Sequence, residues 1–220
     1  MSEKSLLLSN IATERITWGE IKQIIGSRQL HKLRRSKDEA LKYQAHKDNL
    51  AAKHVSMPEY LLNHHHWDAA ELAELNEEKY PTDEQKTEHL FEDNSLYKVT
   101  KNDFPYFYEL SVLHLLVWSK IEMPVYANDN TANDTSFTIT NKFPDANEAV
   151  VNRIDQFLAK TLHSKYGMEK GRDYVWFVNY SHLQSVRAIS HLHLLIKGKD
   201  EAAKEQITRE LLEQNAFKPL

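Results

Sequence analysis

The chain has no cysteine, which removes disulfide frameworks, thiol nucleophiles and thiolate metal sites, so any metal would have to be held by histidines and carboxylates. Glycine and proline are sparse, at 5 and 6 residues, too few for a loop-dominated or collagen-like chain. No run approaches the ~20 apolar residues of a membrane span. After Met1–Ser5 only Leu6–Leu8 is apolar, too short for the core of a signal peptide, and a cytoplasmic address is expected. No charge of one sign dominates: 28 Lys and Arg against 32 Asp and Glu leave a formal net charge of −4. Neither nucleic acid nor an anionic membrane is therefore an expected partner. What is present, 41% hydrophobic and 27% charged residues over 220 positions, is the composition of a folded chain able to bury a core.

The N-terminal third reads as helical. Thr17-Trp-Gly-Glu20 has capping-box form and opens a short amphipathic helix that stops at Gly26. Ser36-Lys-Asp-Glu39 repeats the signal before a longer helix reaching about Lys53, and Ser56-Met-Pro-Glu59 opens a third. Residues 76–95, acidic and polar around Pro81, read as a linker or surface loop. The pattern then changes to β-branched and aromatic residues near Leu96–Thr100 and Val112–Trp118. The polar run Ala127–Thr135 is expected to be weakly ordered, with a short strand at Ser136–Thr140. Asp145 is the expected cap of a long helix whose apolar face holds Val150, Ile154, Leu158 and Leu162. Strands near Tyr174–Asn179 and Ser190–Lys197 and a helix after Asp200 complete an α+β chain. A helical region 1–75 is thus expected to pack on an α+β region 96–220 as one unit, the sheet being antiparallel with one long crossing helix and a C-terminal helix.

Strand alternation turns His191 and His193 to one face while Leu192, Leu194 and Ile196 face the core. Two imidazoles side by side on a strand suit phosphate chemistry or a metal. His114, on an earlier strand, reads equally as a third partner or as a half-buried structural residue. Adjacent residues of a helix diverge by about 100°, so His64-His-His66 does not converge on one ion and reads as a helix end. A metal shared by His191, His193 and Asp103 has no spacing to support it, and no metal or cofactor is expected. Lys32, Arg34 and Arg35 read as a solvated basic face, although arginine pairs also bind phosphate; Arg187, inside the loop before the histidine strand, is the better phosphate candidate. Phe104, Tyr106, Phe107 and Tyr108 could stack on a base or sugar, with the core as the commoner use.

Several segments in the same order, Trp18-Gly-Glu-Ile-Lys22, Leu33-Arg-Arg-Ser36, Asn102-Asp-Phe-Pro-Tyr106, His114-Leu-Leu-Val-Trp-Ser-Lys120, Trp176-Phe-Val-Asn179 and Leu183-Gln-Ser-Val186 with His191-Leu-His193, carry a likeness. The chain resembles the fungal family of N-acetylglucosamine-induced proteins. That resemblance implies a cytosolic protein connected with amino-sugar metabolism, without an established reaction. More distantly, the order of elements is similar to the histidine-triad nucleotide hydrolases and transferases, which implies a HIT-like sheet binding nucleotide phosphates. In that family three histidines alternate with apolar residues shortly after Gln-Ser-Val, and the central one attacks phosphorus. Here Arg187-Ala-Ile-Ser190 intervenes and Leu195 takes a third place, so either His193 or His191 can stand at the centre. Asn179, Gln184 and Ser185 match positions that, by this resemblance, contact phosphate or sugar, with Lys120 neutralising phosphate charge.

Three functions follow as expectations. The first is a binding protein for a phosphorylated sugar or nucleotide sugar. The second is an active phosphohydrolase or nucleotidyl transferase with a histidine nucleophile, in which Ser185 and Arg187 steady the phosphate. The third is a regulatory protein whose pocket is vestigial and whose N-terminal helices or acidic linker meet a protein partner.

Overall fold

Segments rich in β-branched, aromatic and leucine side chains pair into one antiparallel sheet: β1 (Tyr97–Lys101), β2 (Val112–Ser119), β3 (Tyr174–Phe177) and β4 (Ser190–Lys197), in the order β1-β2-β4-β3. These strands, and the helices around them, come from a computed structural model that describes residues 11–126 and 143–220. The polar run at 127–135 and the strand expected at 136–140 lie outside the described residues. The described helices are α1 (Trp18–Gly26), α2 (Lys37–Ala52), α3 (Met57–His65), α4 (Ala69–Ala73), α5 (Asp83–His89), α6 (Glu148–Tyr166) and α7 (Glu201–Leu212). The architecture is α+β, as expected, with helices on both faces of the sheet.

Helix starts follow cap chemistry. Thr17 and Ser56 each form a reciprocal capping box, with Glu20 and Glu59, and Ser36 accepts from the Glu39 amide. α6 begins two residues later than expected, because Asn147 and not Asp145 accepts the orphan amide of Ala149. α3 ends on His66 in the left-handed conformation, so the three consecutive histidines straddle a helix C-terminus.

One face of the sheet, formed by Leu113, Leu115, Val117, Leu192, Leu194 and Ile196, packs on the apolar stripe of α6, from Val150 through Ile154 and Leu158 to Leu162. The acidic segment expected as a linker joins this core. Residues Glu74–Lys79 form a π-helical turn, α5 follows, and Tyr80, Leu90 and Phe91 are buried against the sheet and α6. Its charged residues face solvent while these widely spaced apolar side chains anchor it.

The opposite face carries two smaller clusters. Val112, Val175, Phe177 and Leu195 meet Trp18, Ile21, Leu30, Leu33 and Tyr180. Leu116 and Trp118 meet Trp67, Val186 and Ile189, with Met57, Leu61 and Leu62 of α3 against them. His114, His191 and His193 share this face, and the space above them is not filled by either cluster. Among the described residues no helix is long and apolar enough to cross a membrane.

Candidate functional site

The three histidines are brought together by strand register. His114 lies opposite Leu195, Leu116 opposite His193 and Trp118 opposite His191. The position that would carry a third histidine on β4 is therefore a leucine, and an imidazole from β2 stands beside it. His193 stacks on Phe177 with ring centroids 4.7 Å apart, and His191 packs on Trp118 at 4.7 Å.

A cavity of about 280 Å³ opens over His191 and His193. Its far wall is helical, with Tyr43 and His46 from α2 and Tyr60, Leu61 and His64 from α3. Its near wall is the β1–β2 connection, where Asn102, Phe104 and Tyr106 line it, and its third side is the loop bearing Asn179, Leu183, Ser185 and Val186. Arg35, immediately before the cap of α2, projects into the same space.

One hydrogen-bond chain fixes the floor. The Phe104 amide donates to Asn102 Oδ1 at 3.0 Å, which sets the orientation of that side-chain amide. Asn102 Nδ2 then lies 3.2 Å from His114 Nε2 and 3.5 Å from its Nδ1; with Nε2 as the acceptor, its one lone pair is shared between this amide and the Nδ1–H of His193 at 2.9 Å. A neutral imidazole has a single N–H. His193 Nε2 must accordingly accept, and Asn179 Nδ2 donates to it at 3.2 Å and to the Tyr106 hydroxyl at 3.0 Å. Asn179 Oδ1 is left buried with no partner.

His191 differs. Its Nδ1–H donates to the Ile189 carbonyl at 3.0 Å, which leaves Nε2 with a free lone pair on a ring that lines the cavity. Burial holds all three imidazoles neutral: the pKa of His191 is lowered, that of His193 lies well below the usual histidine value, and His114 is pushed down to about 3. His65, on the wall behind Trp118, is pushed down to about 4 by the same desolvation. The floor thus offers hydrogen-bonding nitrogens and no positive charge. Among the described residues no group of three or more His, Asp or Glu is placed to hold a metal ion.

The structure gathers His191, His193, Asn179 and Ser185 at one cavity and sets His114 behind His193. Gln184 lies beside them, where its Nε2 donates to the Asn179 carbonyl at 2.7 Å and so positions that residue. Lys120 is elsewhere. Its Nζ is 2.6 Å from Glu71 Oε1, at a separate surface depression near Trp67. Arg187 is exposed and does not line the cavity. Arg35, read from sequence as part of a solvated basic face, supplies the positive charge that Lys120 was expected to give. Phe104 and Tyr106 are cavity wall, whereas Tyr108 is core. Tyr43, His46 and Tyr60 were not anticipated, and no local pattern marks them; His64, read from its run of three histidines as a helix end, also lines the wall.

Relatives share this sequence, and one solved structure shares the fold. The chain is 32% identical over 196 residues to N-acetylglucosamine-induced protein 1 of Candida albicans, covering 87% of this chain and 72% of that protein. It is also 32% identical over 206 residues to the uncharacterized protein YPL067C of Saccharomyces cerevisiae, covering 92% and 91%. The crystal structure of HTC1 superposes with a TM-score of 0.63 at 31% identity, over 93% of this chain and 98% of that one. Residues 17–197 match DUF3605, described as protein of unknown function, and the chain belongs to this family.

Proposed function

We propose that the protein is a cytosolic binding protein of the amino-sugar response that takes a small phosphorylated sugar or nucleotide in the cavity over His191 and His193. The observation that carries this reading is the open-mouthed cavity of about 280 Å³, floored by His191, His193 and Asn179 and bordered by Arg35. Aromatic rings of Tyr43, Tyr60, Phe104 and Tyr106 on its walls suit the apolar face of a sugar or base. The name of the Candida albicans relative supports the amino-sugar connection. A thermal-shift screen with sugar phosphates, nucleotides and nucleotide sugars tests it, because a ligand that binds only the native state raises its stability, by about 2.7 kcal/mol at a hundred times Kd. A shift abolished by His191→Ala/His193→Ala is the expected result. No shift from any class sinks the proposal.

One observation favours a second reading, histidine-dependent phosphoryl or nucleotidyl transfer. The Ile189 carbonyl fixes the His191 proton on Nδ1, so the neutral Nε2 is a nucleophile that needs no activation by ionisation. Attack on phosphorus would form an Nε2–P bond and expel an oxygen leaving group that takes a proton from water. On this reading His191, and not His193, is the attacking residue, since both nitrogens of His193 are engaged. Mass spectrometry after acid-free quenching distinguishes the two readings: a phosphorylated or nucleotidylated His191 establishes transfer, and modification elsewhere rules out this assignment.

A further inference from the structure

The two ends of the cavity differ in chemistry. Arg35 Nε donates to the Phe104 carbonyl at 2.9 Å, and the guanidinium lies 4.6 Å from the Tyr43 ring centroid and 5.4 Å from that of Tyr106. Among the described residues no carboxylate pairs with it, so its terminal nitrogens keep their donors. A guanidinium tethered through Nε and stacked on rings presents a preset fork for one oxyanion. The Tyr106 ring also stacks on His193 at 5.7 Å, so the cation lies one ring away from the floor. Its charge reaches that floor, adding to the forces that keep His114 and His193 unprotonated.

The floor has the opposite character. Two of its groups without a protein partner, His191 Nε2 and the buried Asn179 Oδ1, are acceptors. A phosphate, which also accepts, would meet lone pairs there, while a hydroxyl or an amide N–H would donate. At the rim, Lys101 and Asp103 are exposed and of opposite sign, so they add no net field. The volume, about 280 Å³, lies just under the low end of ligand pockets, about 300 Å³. That is room for one substituted sugar ring within the walls and not for a second ring.

We infer that the cavity is polarised: it takes a single-ring polyol or amide-bearing ligand with donor groups on His191 Nε2 and Asn179 Oδ1, and its one oxyanion against Arg35. This rests on the proposal that the cavity binds a small ligand, and it narrows the class to sugar monophosphates or sugar acids, excluding diphosphate-linked nucleotide sugars.

Calorimetry on the full chain tests it, with N-acetylglucosamine, N-acetylglucosamine 6-phosphate, glucuronate and UDP-N-acetylglucosamine against wild type, Arg35→Gln, Arg35→Lys and His191→Phe. The phosphorylated sugar should bind about 10- to 100-fold tighter than the parent sugar. Arg35→Gln should erase that ratio and leave the parent sugar's affinity alone. His191→Phe should weaken both ligands by the same factor and keep the ratio. Arg35→Lys, which keeps charge without the fork, should retain part of it. Should Arg35→Gln fail to fold, wild type still decides: added salt must weaken the phosphorylated sugar and not the parent. The Arg35 dependence of the phosphate and glucuronate arms identifies which oxyanion the site prefers. An unchanged ratio in Arg35→Gln, or tighter binding of the UDP-sugar than of the monophosphate, overturns the inference while the binding proposal stands. No binding of any ligand to wild type overturns the binding proposal itself.

Discussion

Mild acid should unfold this protein in a way that its buried histidines set. His114 is 5% exposed and its pKa is pushed down to about 3 by burial, with the Arg35 charge adding to the effect. In the unfolded chain the same ring titrates near its ordinary pKa of about 6.5. The unfolded state therefore takes up a proton first, so the stability His114 contributes is present above about pH 6.5 and is lost as pH falls towards the folded value. Between about pH 7 and about pH 5 the loss is about 2 kcal/mol for this one ring. His193 and His191, also lowered by desolvation, act in the same direction. His65, pushed down to about 4, adds at most the same again as His114, discounted because it borders two cavities where water screens it. Carboxylates do not confuse this window. Asp173, lowered by its hydrogen bond with Arg172, loses its contribution only as pH falls below about 4. Urea unfolding followed by tryptophan fluorescence at several pH values reads the slope. His114→Asn should unfold more easily at neutral pH, by about 1–3 kcal/mol for the donor left unpaired on His193. It should also lose about 2 kcal/mol of pH dependence relative to wild type. Wild-type stability constant to within about 1 kcal/mol over this range, or a His114→Asn variant with the full wild-type slope, would refute the reasoning.

Lys120→Ala removes an ion pair whose Glu71 side is 45% exposed and a buried stem packed by Trp67, so it should cost about 1–3 kcal/mol, mostly in lost packing, and leave ligand affinity unchanged. A tenfold loss of affinity by calorimetry would return Lys120 to the site. Ser56→Ala deletes the cap of the helix that holds Tyr60 and His64 on the cavity wall, and should lower stability by about 1 kcal/mol, or about 2–4 °C in Tm. An unchanged Tm would mean that tertiary packing alone sets that helix end. Leu194→Ala, at a fully buried position against α6, should cost about 2–5 kcal/mol in chemical denaturation, and a cost below about 1 kcal/mol would contradict the packing described.

Local chemistry made most of the fold legible. The caps at Thr17, Ser36, Ser56 and Asp200 stand where the sequence places them, because a hydroxyl or carboxylate satisfying an orphan amide is decided within four residues. The four strands likewise follow from alternation and β-branched content. Asp145 and Asn147 offer the same acceptor chemistry, and only the backbone path selects Asn147. The segment 76–95 was opaque for another reason. Tyr80, Leu90 and Phe91 are too far apart to form a periodic stripe, and their burial depends on α6, more than fifty residues along the chain.

The site was legible only where strand parity reaches. His191 and His193 share a face by alternation alone, but His114 joins them through the pairing of β2 with β4, which no in-strand pattern states. The resemblance also misplaces Lys120. It is two residues beyond Trp118 and keeps to the same side of the sheet, over the Trp67 ring, while Ile121 continues the α6-facing side with Val117; the strand ends at Ser119, past the cavity, and Glu71 captures the ammonium there. Arg35 has only the signal of a basic cluster in its own segment, which reads first as a solvated face; what makes it a site residue is the carbonyl of Phe104 and the rings of Tyr43 and Tyr106 arriving from elsewhere. The choice between His191 and His193 is more distant still from sequence. Each ring has two nitrogens, and which one stays free depends on what occupies the other. A backbone carbonyl holds one nitrogen of His191, while Asn179 and His114 hold both of His193. Two histidines that alternation makes equivalent are thereby made unequal by three hydrogen bonds, and the unequal one, His191, is where a ligand's donor or an electrophile finds a lone pair.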